Sequence, residues 1–564
     1  MPKGIILIIL FITSLAQAQK PEPMDRTINN PSYSSVYPAV SGDGRVMIYL
    51  TNYSDDGSFV MSMTNYRGGQ WQRPTDVSIV GSSKVNNWGG YCLNYDGTEL
   101  YFSSRRANGL GLYDIWYTKL ENNNWSMPKN IGKPINTDGH EGNPSISPDG
   151  QRVYFMRCQS MSNDDVGGCK IFYSDNGPRG WEEAVALPDH INIGNTTSPR
   201  ILPDNRTLVF ASDRPGGQGG VELWMTRRPG EHWSEPVNIE PVNTPENNYF
   251  LTVTLRSIAY LTMAGEKGIQ AIGELRLPPE YRLTNVIFTQ GTIRDEAGNS
   301  LNAEIRAYNK STKELEYRRR LTPADDDFIM ILSEGAVYDV AYNELRLEKM
   351  YQSEIIDATD LVAPKRQFPN IVLKDFEDGM TVALSGVDFK PAATELVDDS
   401  ALELDRLVRI LKRHADFNIE LGVYQKSYLE TEIPGNEDLT EVRYDTAVIY
   451  EEPIRIDTLN NSTLDALIQK INEELQATIQ DTALANVYMA RMSSLIPVEV
   501  SKVKSIYHND RCEKQAERVK EILVERGLEG ERISTMGYRD LEPPVQFPVD
   551  QERLVVVKLT LKEN

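Results

Sequence analysis

The stretch SPDGQRVYFMRC (residues 147–158) joins an Asp-Gly turn to a strand of alternating apolar residues, and it decides the fold because it is repeated. Related stretches are SGDGRVMIYLTN from Ser41, NYDGTELYFSSR from Asn94 and LPDNRTLVFASD from Leu202. The turn acids are Asp43, Asp96, Asp149 and Asp204, and they lie 53, 53 and 55 residues apart. Self-similarity at such a period is a sequence signature of a β-propeller built blade by blade.

A second landmark in each repeat is a tryptophan near its end. These residues are Trp71, Trp125, Trp181 and Trp233. An aromatic strand such as residues 113–117 lies between turn and tryptophan, so each unit holds roughly the four short strands that a blade needs. A degraded fifth unit at residues 251–261 completes a predicted all-β propeller of about five blades between residues 30 and 277.

The repeats resemble the TolB-type, WD-like propeller repeats of bacterial envelope proteins, whose hallmark is an SPDG turn followed by an alternating strand. The resemblance implies a docking platform more often than an enzyme. The same Asp-Gly pairs are also expected to form type I′ turns, in which both central residues have positive φ.

The first residues indicate export from the cytoplasm. Residues 1–18 combine Lys3, an apolar run and an Ala-x-Ala site, which predicts a secretory signal peptide cleaved before Gln19. No later apolar run approaches the ~20 residues that a membrane-spanning helix needs. The formal charge of −22 argues against nucleic acid or anionic lipid as a partner. We therefore expect a periplasmic protein without a transmembrane segment.

The four cysteines divide into two kinds. Cys158 and Cys169 flank a polar turn between two apparent strands, and in an oxidising compartment this placement predicts a local disulfide worth ~3 kcal/mol. Cys92 and Cys512 are interpreted as buried free thiols.

After Pro278 and Pro279 the pattern changes to short strands separated by turn residues. Alternating apolar residues at 303–307 and the run at 328–332 predict a small β-sandwich over residues 283–372. The order of its Gly, Asp, Phe and Tyr residues is similar to the carboxypeptidase regulatory-like domain. The run Asp325-Asp326-Asp327 is interpreted as a solvated turn, and a cation site is the alternative.

From about residue 380 the chain reads as α/β. Leu404, Leu407, Val408 and Leu411 have helical spacing, and a second amphipathic helix is predicted to end at Gly527. The order of strands and helices, with Met536-Gly537-Tyr538 near its end, resembles the OmpA-like peptidoglycan-binding domain. This predicted domain covers residues 380–564 and contains an insertion at about residues 427–505.

The OmpA-like family, which this domain resembles, binds a ligand through two charged residues. In that family the diaminopimelate of the peptidoglycan stem is held by the Asp of a Gly-His-Thr-Asp segment and the Arg of a Leu-Ser-x-x-Arg-Ala segment. At the matching positions this chain has neutral Gln425 and Gln515. A hydrogen bond to a charged group contributes ~1.5–3 kcal/mol, so the resemblance implies a degenerate site with weakened peptidoglycan binding. Arg518 or Lys514 is the alternative ligand for the carboxylate.

No catalytic motif is recognisable in the sequence. It contains neither a Gly-x-Ser-x-Gly elbow nor a phosphate-binding loop, and its five histidines lack metal-ligand spacing. We therefore predict a protein that is not an enzyme and has no catalytic residues, metal or cofactor.

The set of propeller, regulatory-like sandwich and OmpA-like domain resembles the PorE-type accessory components of type IX secretion and gliding. The resemblance implies a periplasmic scaffold peripherally associated with the outer membrane, whose propeller docks an envelope or outer-membrane protein while the OmpA-like domain faces peptidoglycan. Two other hypotheses stay open. In one, the protein is a periplasmic binding module and its propeller holds a carbohydrate or peptide ligand. In the other, it is an enzyme whose site is assembled across blades and leaves no motif in the sequence.

Overall fold

The computed structural model describes residues 20–54, 57–77, 90–162, 166–177, 179–228, 230, 232–265, 268–325, 327–390, 393–425, 441–449, 469, 498–506, 511–538 and 553–562. The predicted signal peptide and most of the predicted insertion lie outside the described residues. The chain divides into two compact units, Met1–Asp375 and Phe376–Asn564.

Five antiparallel sheets follow one another in the described part of the first unit. The first strand of the described part is the short β1 (Glu22–Pro23). Sheet 1 contains β2 (Ser35–Val40), β3 (Val46–Thr51), β4 (Val60–Arg67), β5 (Gln70–Trp71) and β6 (Thr75–Asp76). Sheet 2 contains β7 (Tyr91–Leu93), β8 (Glu99–Ser104), β9 (Asp114–Glu121), β10 (Asn124–Trp125) and β11 (Lys129–Asn130).

The next three sheets repeat this layout. Sheet 3 contains β12 (His140–Ile146), β13 (Arg152–Cys158), β16 (Lys170–Gly177), β17 (Gly180–Trp181) and β18 (Val185–Ala186), with the hairpin β14 (Ser160–Met161) and β15 (Val166–Gly167) between β13 and β16. Sheet 4 contains β19 (Thr196–Ile201), β20 (Thr207–Ser212), β21 (Glu222–Arg227) and β22 (Val237–Asn238). Sheet 5 contains β23 (Leu251–Val253), β24 (Ile258–Ala264), β25 (Gln270–Arg276) and the early strand β1.

The strand order closes the five sheets into a ring. β1 pairs antiparallel with β25, so a strand that precedes sheet 1 in the sequence supplies the outer strand of the last sheet. Each gap between neighbouring sheets also holds its own buried cluster, and one cluster joins sheet 5 to sheet 1 through Tyr260, Ile272 and Met47. The other four clusters join sheets 1 and 2, 2 and 3, 3 and 4, and 4 and 5. An open stack of five sheets would have only four interfaces between neighbouring sheets. The fifth interface, between sheet 5 and sheet 1, shows that the five sheets form a closed propeller and confirms that prediction.

The aspartyl turns differ from the expected type I′ geometry. The amide of Gly44 donates to the carbonyl of Ser41 at 2.8 Å, which places Gly42 and Asp43 at the centre of the turn. Positive φ is confined to the residue after the acid, as at Gly44 (73°) and Gly150 (70°). The expectation of a type I′ turn is therefore wrong, because that turn needs positive φ at both central residues. The Asp43 carboxylate instead accepts a hydrogen bond from the amide of Arg45 at 3.0 Å and holds the turn from inside.

Two further sheets follow the propeller within the first unit. A 3-10 turn (Pro279–Tyr281) leads into them. One sheet contains β26 (Val286–Asp295), β29 (Phe328–Ser333), β32 (Lys365–Gln367) and β33 (Asn370–Leu373). The other has the order β28 (Leu315–Leu321), β27 (Ala303–Asn309), β30 (Val337–Glu344) and β31 (Gln352–Asp357). Apolar residues of both sheets, among them Ile293, Ile305 and Phe328, share one buried core.

The second unit is an α/β sheet with helices. Its sheet has the order β34 (Thr381–Ala383), β39 (Arg553–Leu561), β35 (Phe417–Gln425) and β38 (Ile533–Tyr538). Its helices are α1 (Ala401–Leu411) and α2 (Arg511–Glu525), with 3-10 turns at Asp398–Ser400 and Gly530–Arg532. β36 (Glu441–Ile449) and β37 (Val498–Ile506) form an antiparallel pair within the range of the predicted insertion.

The second helix ends as its sequence indicates. Gly527 has a φ of 94°, and the amide of Leu528 donates to the carbonyl of Leu523 at 3.1 Å. This left-handed glycine satisfies carbonyls of the last helical turn. β35 and β38 then pair in parallel. No helix among the described residues has the length and apolarity needed to cross a membrane.

Candidate functional site

One end of the propeller is covered by the sandwich sheets. The ring of Tyr95, next to the second aspartyl turn, stacks on Phe288 with centroids 3.9 Å apart. Arg319 donates to the carbonyl of Asp149 at 3.2 Å, and Arg206 forms an ion pair with Glu316. The repeated turns that define the blades therefore also form the contact surface for the next module.

The opposite end of the propeller carries the loops that join the second strand to the third and each sheet to the next. In antiparallel blades these loops lie together at the end away from the aspartyl turns. Large apolar side chains are exposed there, namely Tyr53 (41%), Leu110 (46%), Leu112 (43%) and Ile193 (43%). We call this end the loop face. It combines ordered loops with exposed apolar side chains, which is typical of a binding surface.

Asparagines hold the connections at the loop face in place. Asn192 accepts a hydrogen bond from the amide of Ile171 at 2.8 Å and donates to the carbonyls of Ile171 at 3.1 Å and Leu187 at 2.8 Å. Asn136 bonds both backbone groups of Ile115 in the same way. Asn29 and Asn243 repeat the arrangement on the third strands of sheets 5 and 4.

The analysis of the sequence missed these asparagines, although a signal for them exists. Each follows an aliphatic residue in the connection before an inner strand, as in Ile28-Asn29, Ile135-Asn136, Ile191-Asn192 and Val242-Asn243. Because the aliphatic-Asn pair is short, it stands out only when it is aligned with the aspartyl turns.

Carboxylates at the loop face are used to order loops. Asp114 accepts hydrogen bonds from the amides of Leu110 at 2.5 Å and Gly111 at 3.2 Å. Glu222 accepts from the amide of Gly219 at 2.6 Å in the equivalent loop of sheet 4. Gly109 and Gly111 thus belong to a loop capped by a carboxylate. Asp114 positions Leu110 at the surface, and the amide of Leu112 donates to the carbonyl of Gly139 at 2.9 Å.

The interior of the ring is occupied by Arg200 of the inner strand β19. Its guanidinium donates to the carbonyl of Tyr91 in β7 at 3.0 Å. Sheet 3 lies between these two sheets in the ring, so this contact spans the ring interior. The residues at the equivalent position of the first three sheets, Ala39, Cys92 and Ser145, are small and leave room for the long side chain.

Burial governs the chemistry of this contact. Burial lowers the pKa of the Arg200 guanidinium, against the opposing effect of Cys92 and Tyr91. Burial likewise raises the pKa of the Cys92 thiol, although Arg200 acts in the other direction. Cys92 and Cys512 are both buried and lie outside the disulfide. A buried thiol with a raised pKa is a poor nucleophile, so Cys92 has a packing role.

Three inner strands bend sharply where they approach the loop face. Tyr37, Asn143 and Ser198 have φ values of 55°, 46° and 52°, and each directly precedes a proline. This conformation is strained for a residue other than glycine, and strain of this kind clusters at functional sites.

Buried polar atoms beside these bends lack hydrogen-bond partners among the described residues. They are Ser103 Oγ, Asn143 Oδ1 and Thr197 Oγ1. A Cβ atom on Gly90 would lie 2.3 Å from Ser103 Oγ and 3.3 Å from Asn143 Oδ1, so the two oxygens border the same small region. Polar groups of this kind are usually satisfied by a bound water or ligand.

The predicted cysteine pair lies at the loop face. Cys158 and Cys169 form a disulfide across the loop that contains β14 and β15. Met161 of this loop packs onto the inner strand, where a Cβ atom on Gly142 would lie 2.8 Å from its Cε. The bridge therefore fixes a loop beside the strained residue Asn143.

In the second unit, Gln515 is 2% exposed and donates to the carbonyl of Ala393 at 2.8 Å. Its side chain fastens the loop before α1 onto α2. Gln425 pairs through its backbone with Arg553, and its side chain lies outside the described part of the chain. Arg518, the alternative ligand, forms an ion pair with Glu521 at 2.7 Å.

A cavity of about 370 Å³ lies beside α2, one helical turn beyond Gln515. Its charged lining residues are Lys390, Glu395, Asp398, Arg518 and Arg526. Several of these charges are already paired, as Lys390 is with Glu395 at 3.7 Å and Arg526 is with Asp405 at 2.8 Å. Gln515 is not part of the lining.

The acidic turn of the sandwich is held by local contacts. Asp325 accepts hydrogen bonds from the amide of Thr322 at 2.8 Å and from its hydroxyl at 2.9 Å, and it lies 3.6 Å from Arg319. Asp326 lies outside the described residues. Within the described ranges, no group of three or more His, Cys, Asp or Glu residues is arranged to hold a metal ion.

The chain has similarity to solved structures but not to a family model or a curated protein. No family model and no curated protein matches this chain. Similar solved structures include a protein described as TolB from Agrobacterium tumefaciens, which is 13% identical with a TM-score of 0.28 over 53% of this chain and 90% of that chain. The catalytic domain of a GH62 α-L-arabinofuranosidase from Coprinopsis cinerea is 12% identical with a TM-score of 0.27 over 46% of this chain and 93% of that chain. The β-propeller domain of the Trilobed protease from Pyrococcus furiosus is 10% identical with a TM-score of 0.26 over 44% of this chain and 86% of that chain.

These likenesses concern the fold alone and transfer no residue role, substrate or partner to this chain. They do correct one prediction. The expectation that the protein is not an enzyme is wrong as an inference from the fold, because the similar structures include arabinofuranosidases and a prolyl endopeptidase. A propeller gathers loops from several blades at one end, so a site built there leaves no contiguous motif in the sequence.

Proposed function

We propose that this chain is an exported envelope scaffold whose propeller binds a protein partner through the loop face. The proposal rests on one observation: the turn end and the interior of the propeller are already occupied, and the loop face is not covered by the sandwich. The sandwich covers the turn end, and Arg200 spans the ring interior from sheet 4 to sheet 2. Binding is therefore directed to the outer surface of the loop face, where Leu110 and Leu112 are exposed.

The proposed compartment rests on the disulfide and on the predicted signal peptide. A disulfide in a loop at the surface persists in an oxidising environment such as the periplasm. Together with the OmpA-like resemblance, this supports a place in the periplasm beside the outer membrane. We propose an outer-membrane or envelope protein as the partner, with a role in type IX secretion or gliding as the most specific form of the proposal.

The OmpA-like unit is proposed to face peptidoglycan with a degenerate diaminopimelate site. Gln515 is buried and bonded to the backbone of the adjacent loop, so it presents no charge to a stem peptide. Arg518 is engaged by Glu521. Sedimentation with purified sacculi tests this point. We expect little co-sedimentation, and strong co-sedimentation that is lost in Gln515→Ala would contradict it.

A second candidate function is a binding module for a small carbohydrate or peptide. It is favoured by the unpartnered oxygens of Ser103, Asn143 and Thr197 near the bends of the inner strands. Such oxygens suit a hydroxyl-rich or amide-rich ligand. This ligand would enter from the loop face, because the other end is covered.

A pull-down from outer-membrane extracts separates the two functions. The bait is the full mature chain, compared with a Leu110→Asp/Leu112→Asp variant. The matched control is Met127→Asp/Val237→Asp, because Met127 (63%) and Val237 (52%) are also exposed but lie at the outer edges of their sheets, Met127 between β10 and β11 and Val237 in β22. We expect a protein partner that is lost in the loop-face variant and kept in the control. Recovery of no partner, together with saturable binding of a glycan or peptide, would favour the second function.

A further inference from the structure

The outer face of the sandwich carries an arginine cluster around a single buried carboxylate. Glu304 of β27 has a side chain that is only 6% exposed. One of its oxygens lies 2.7 Å from Arg318 and 2.9 Å from Arg320, and the other lies 2.6 Å from Arg306. Three guanidinium groups thus share one carboxylate.

The cluster keeps Glu304 ionised. Burial opposes its ionisation, but hydrogen bonds from Arg318 and Arg320 and the charge of Arg306 outweigh burial, so the pKa of Glu304 lies below its usual range. The other nearby acid on β28, Glu316, is already engaged by Arg206 of the propeller. The three arginines therefore bring three positive charges to the single negative charge of Glu304, in a chain whose formal net charge is −22.

The guanidinium groups also keep free donors. Each has five N–H donors in a planar fork, of which Glu304 occupies a few. The side chains of Arg318 and Arg320 are 45% and 44% exposed, so their remaining donors are accessible from outside. Guanidinium groups held in fixed positions are well suited to bind further carboxylates through paired hydrogen bonds.

The spacing of the exposed arginines matches the spacing of alternate side chains on an extended polypeptide. Arg318 and Arg320 alternate along β28, so they share one face of the strand and lie about 7 Å apart. β28 is an edge strand of its sheet, with β27 as its neighbour. An extended segment with acidic residues at alternate positions matches both the spacing and the charge.

We propose that this arginine cluster binds an extended acidic segment of a partner polypeptide, with carboxylates at alternate positions facing Arg318 and Arg320. The cluster lies on the sandwich and shares no residue with the loop face. Binding at the cluster and binding at the loop face can therefore be tested independently, and one partner could contact both surfaces.

The test uses the full mature chain and a fluorescent peptide of alternating Glu and Thr, titrated at low and moderate salt. We expect saturable binding that weakens about ten-fold in Arg318→Gln/Arg320→Gln, because each exposed charge pair contributes a modest share. A peptide with Gln in place of every Glu should not bind. The matched control is Arg67→Gln/Arg73→Gln, which removes the same charge from exposed sites on sheet 1.

Three outcomes would overturn the proposal. Equal weakening in the cluster variant and the control would show that only net charge matters. Binding of the Gln peptide with the same affinity would exclude recognition of carboxylates. Tighter binding of inorganic polyphosphate than of the acidic peptide, lost in the cluster variant, would assign the cluster to phosphate. Unchanged thermal unfolding of Arg318→Gln/Arg320→Gln verifies that each comparison is made on folded protein.

Discussion

Replacing Asn192 by alanine should destabilise the propeller more than any exposed asparagine does. The Asn192 side chain is 8% exposed and makes three hydrogen bonds to backbone groups of Ile171 and Leu187. Each such bond contributes about 0.5–1.5 kcal/mol, and the buried amide of Ile171 would be left without a partner, whereas its carbonyl keeps the hydrogen bond from the amide of Leu187. We expect the free energy of unfolding to fall by about 3 kcal/mol.

Tryptophan fluorescence in a urea titration measures this change selectively. All seven tryptophans lie between residues 71 and 233, so the signal reports on the propeller and not on the sandwich or the α/β unit. The control is Asn176→Ala, an exposed asparagine of the same sheet, for which we expect a change within about 0.5 kcal/mol. The free energy of unfolding could instead fall by less than about 1 kcal/mol in Asn192→Ala, or by the same amount as in the control. Either result would refute the conclusion that these asparagines hold the connections at the loop face in place.

Three further predictions concern the turn end, the disulfide and pH. Tyr95→Ala should lower the free energy of unfolding by about 3 kcal/mol, because the 4% exposed ring loses its stack on Phe288, measured by the same titration. Tyr95→Phe should be neutral or stabilising, since the buried hydroxyl has no partner among the described residues, and an equal loss in both variants would contradict this account. Cys158→Ser/Cys169→Ser should cost about 3 kcal/mol, and alkylation of the denatured, unreduced wild type should label only Cys92 and Cys512; labelling of all four cysteines would disprove the bridge. His140 has its pKa lowered from 6.5, chiefly by burial, so the unfolded chain binds its proton more readily and stability falls as the pH drops below about 6.5. Unfolding titrations at several pH values should show a smaller loss of stability in acid for His140→Gln than for the wild type, and identical losses would count against a partly buried neutral imidazole.

Some features of the propeller could be read from the chain alone because they are local. An Asp-Gly turn followed by alternating apolar residues encodes a hairpin, and its period of 53 to 55 residues encodes repetition. The helix ending at Gly527 has the same kind of local cause, since only residues within one turn of it take part. The type I′ expectation failed at this scale, because the Asp43 carboxylate stabilises a turn in which Gly44 alone takes positive φ.

The candidate site depended on contacts that no local pattern contains. Arg200 reaches Tyr91, 109 residues earlier in the chain, and only closure of the ring brings them together. Asn29 binds Ile272 across 243 residues for the same reason.

The amino-acid sequence by itself determined the repeat, its turns and its strands, since hydrogen bonds and alternation between near neighbours specify them. The tertiary structure alone decided which end is covered, what occupies the interior and where three arginines meet Glu304. Those outcomes depend on side chains from distant strands packing into the same volume, and their energy is gained only once the sheets have assembled.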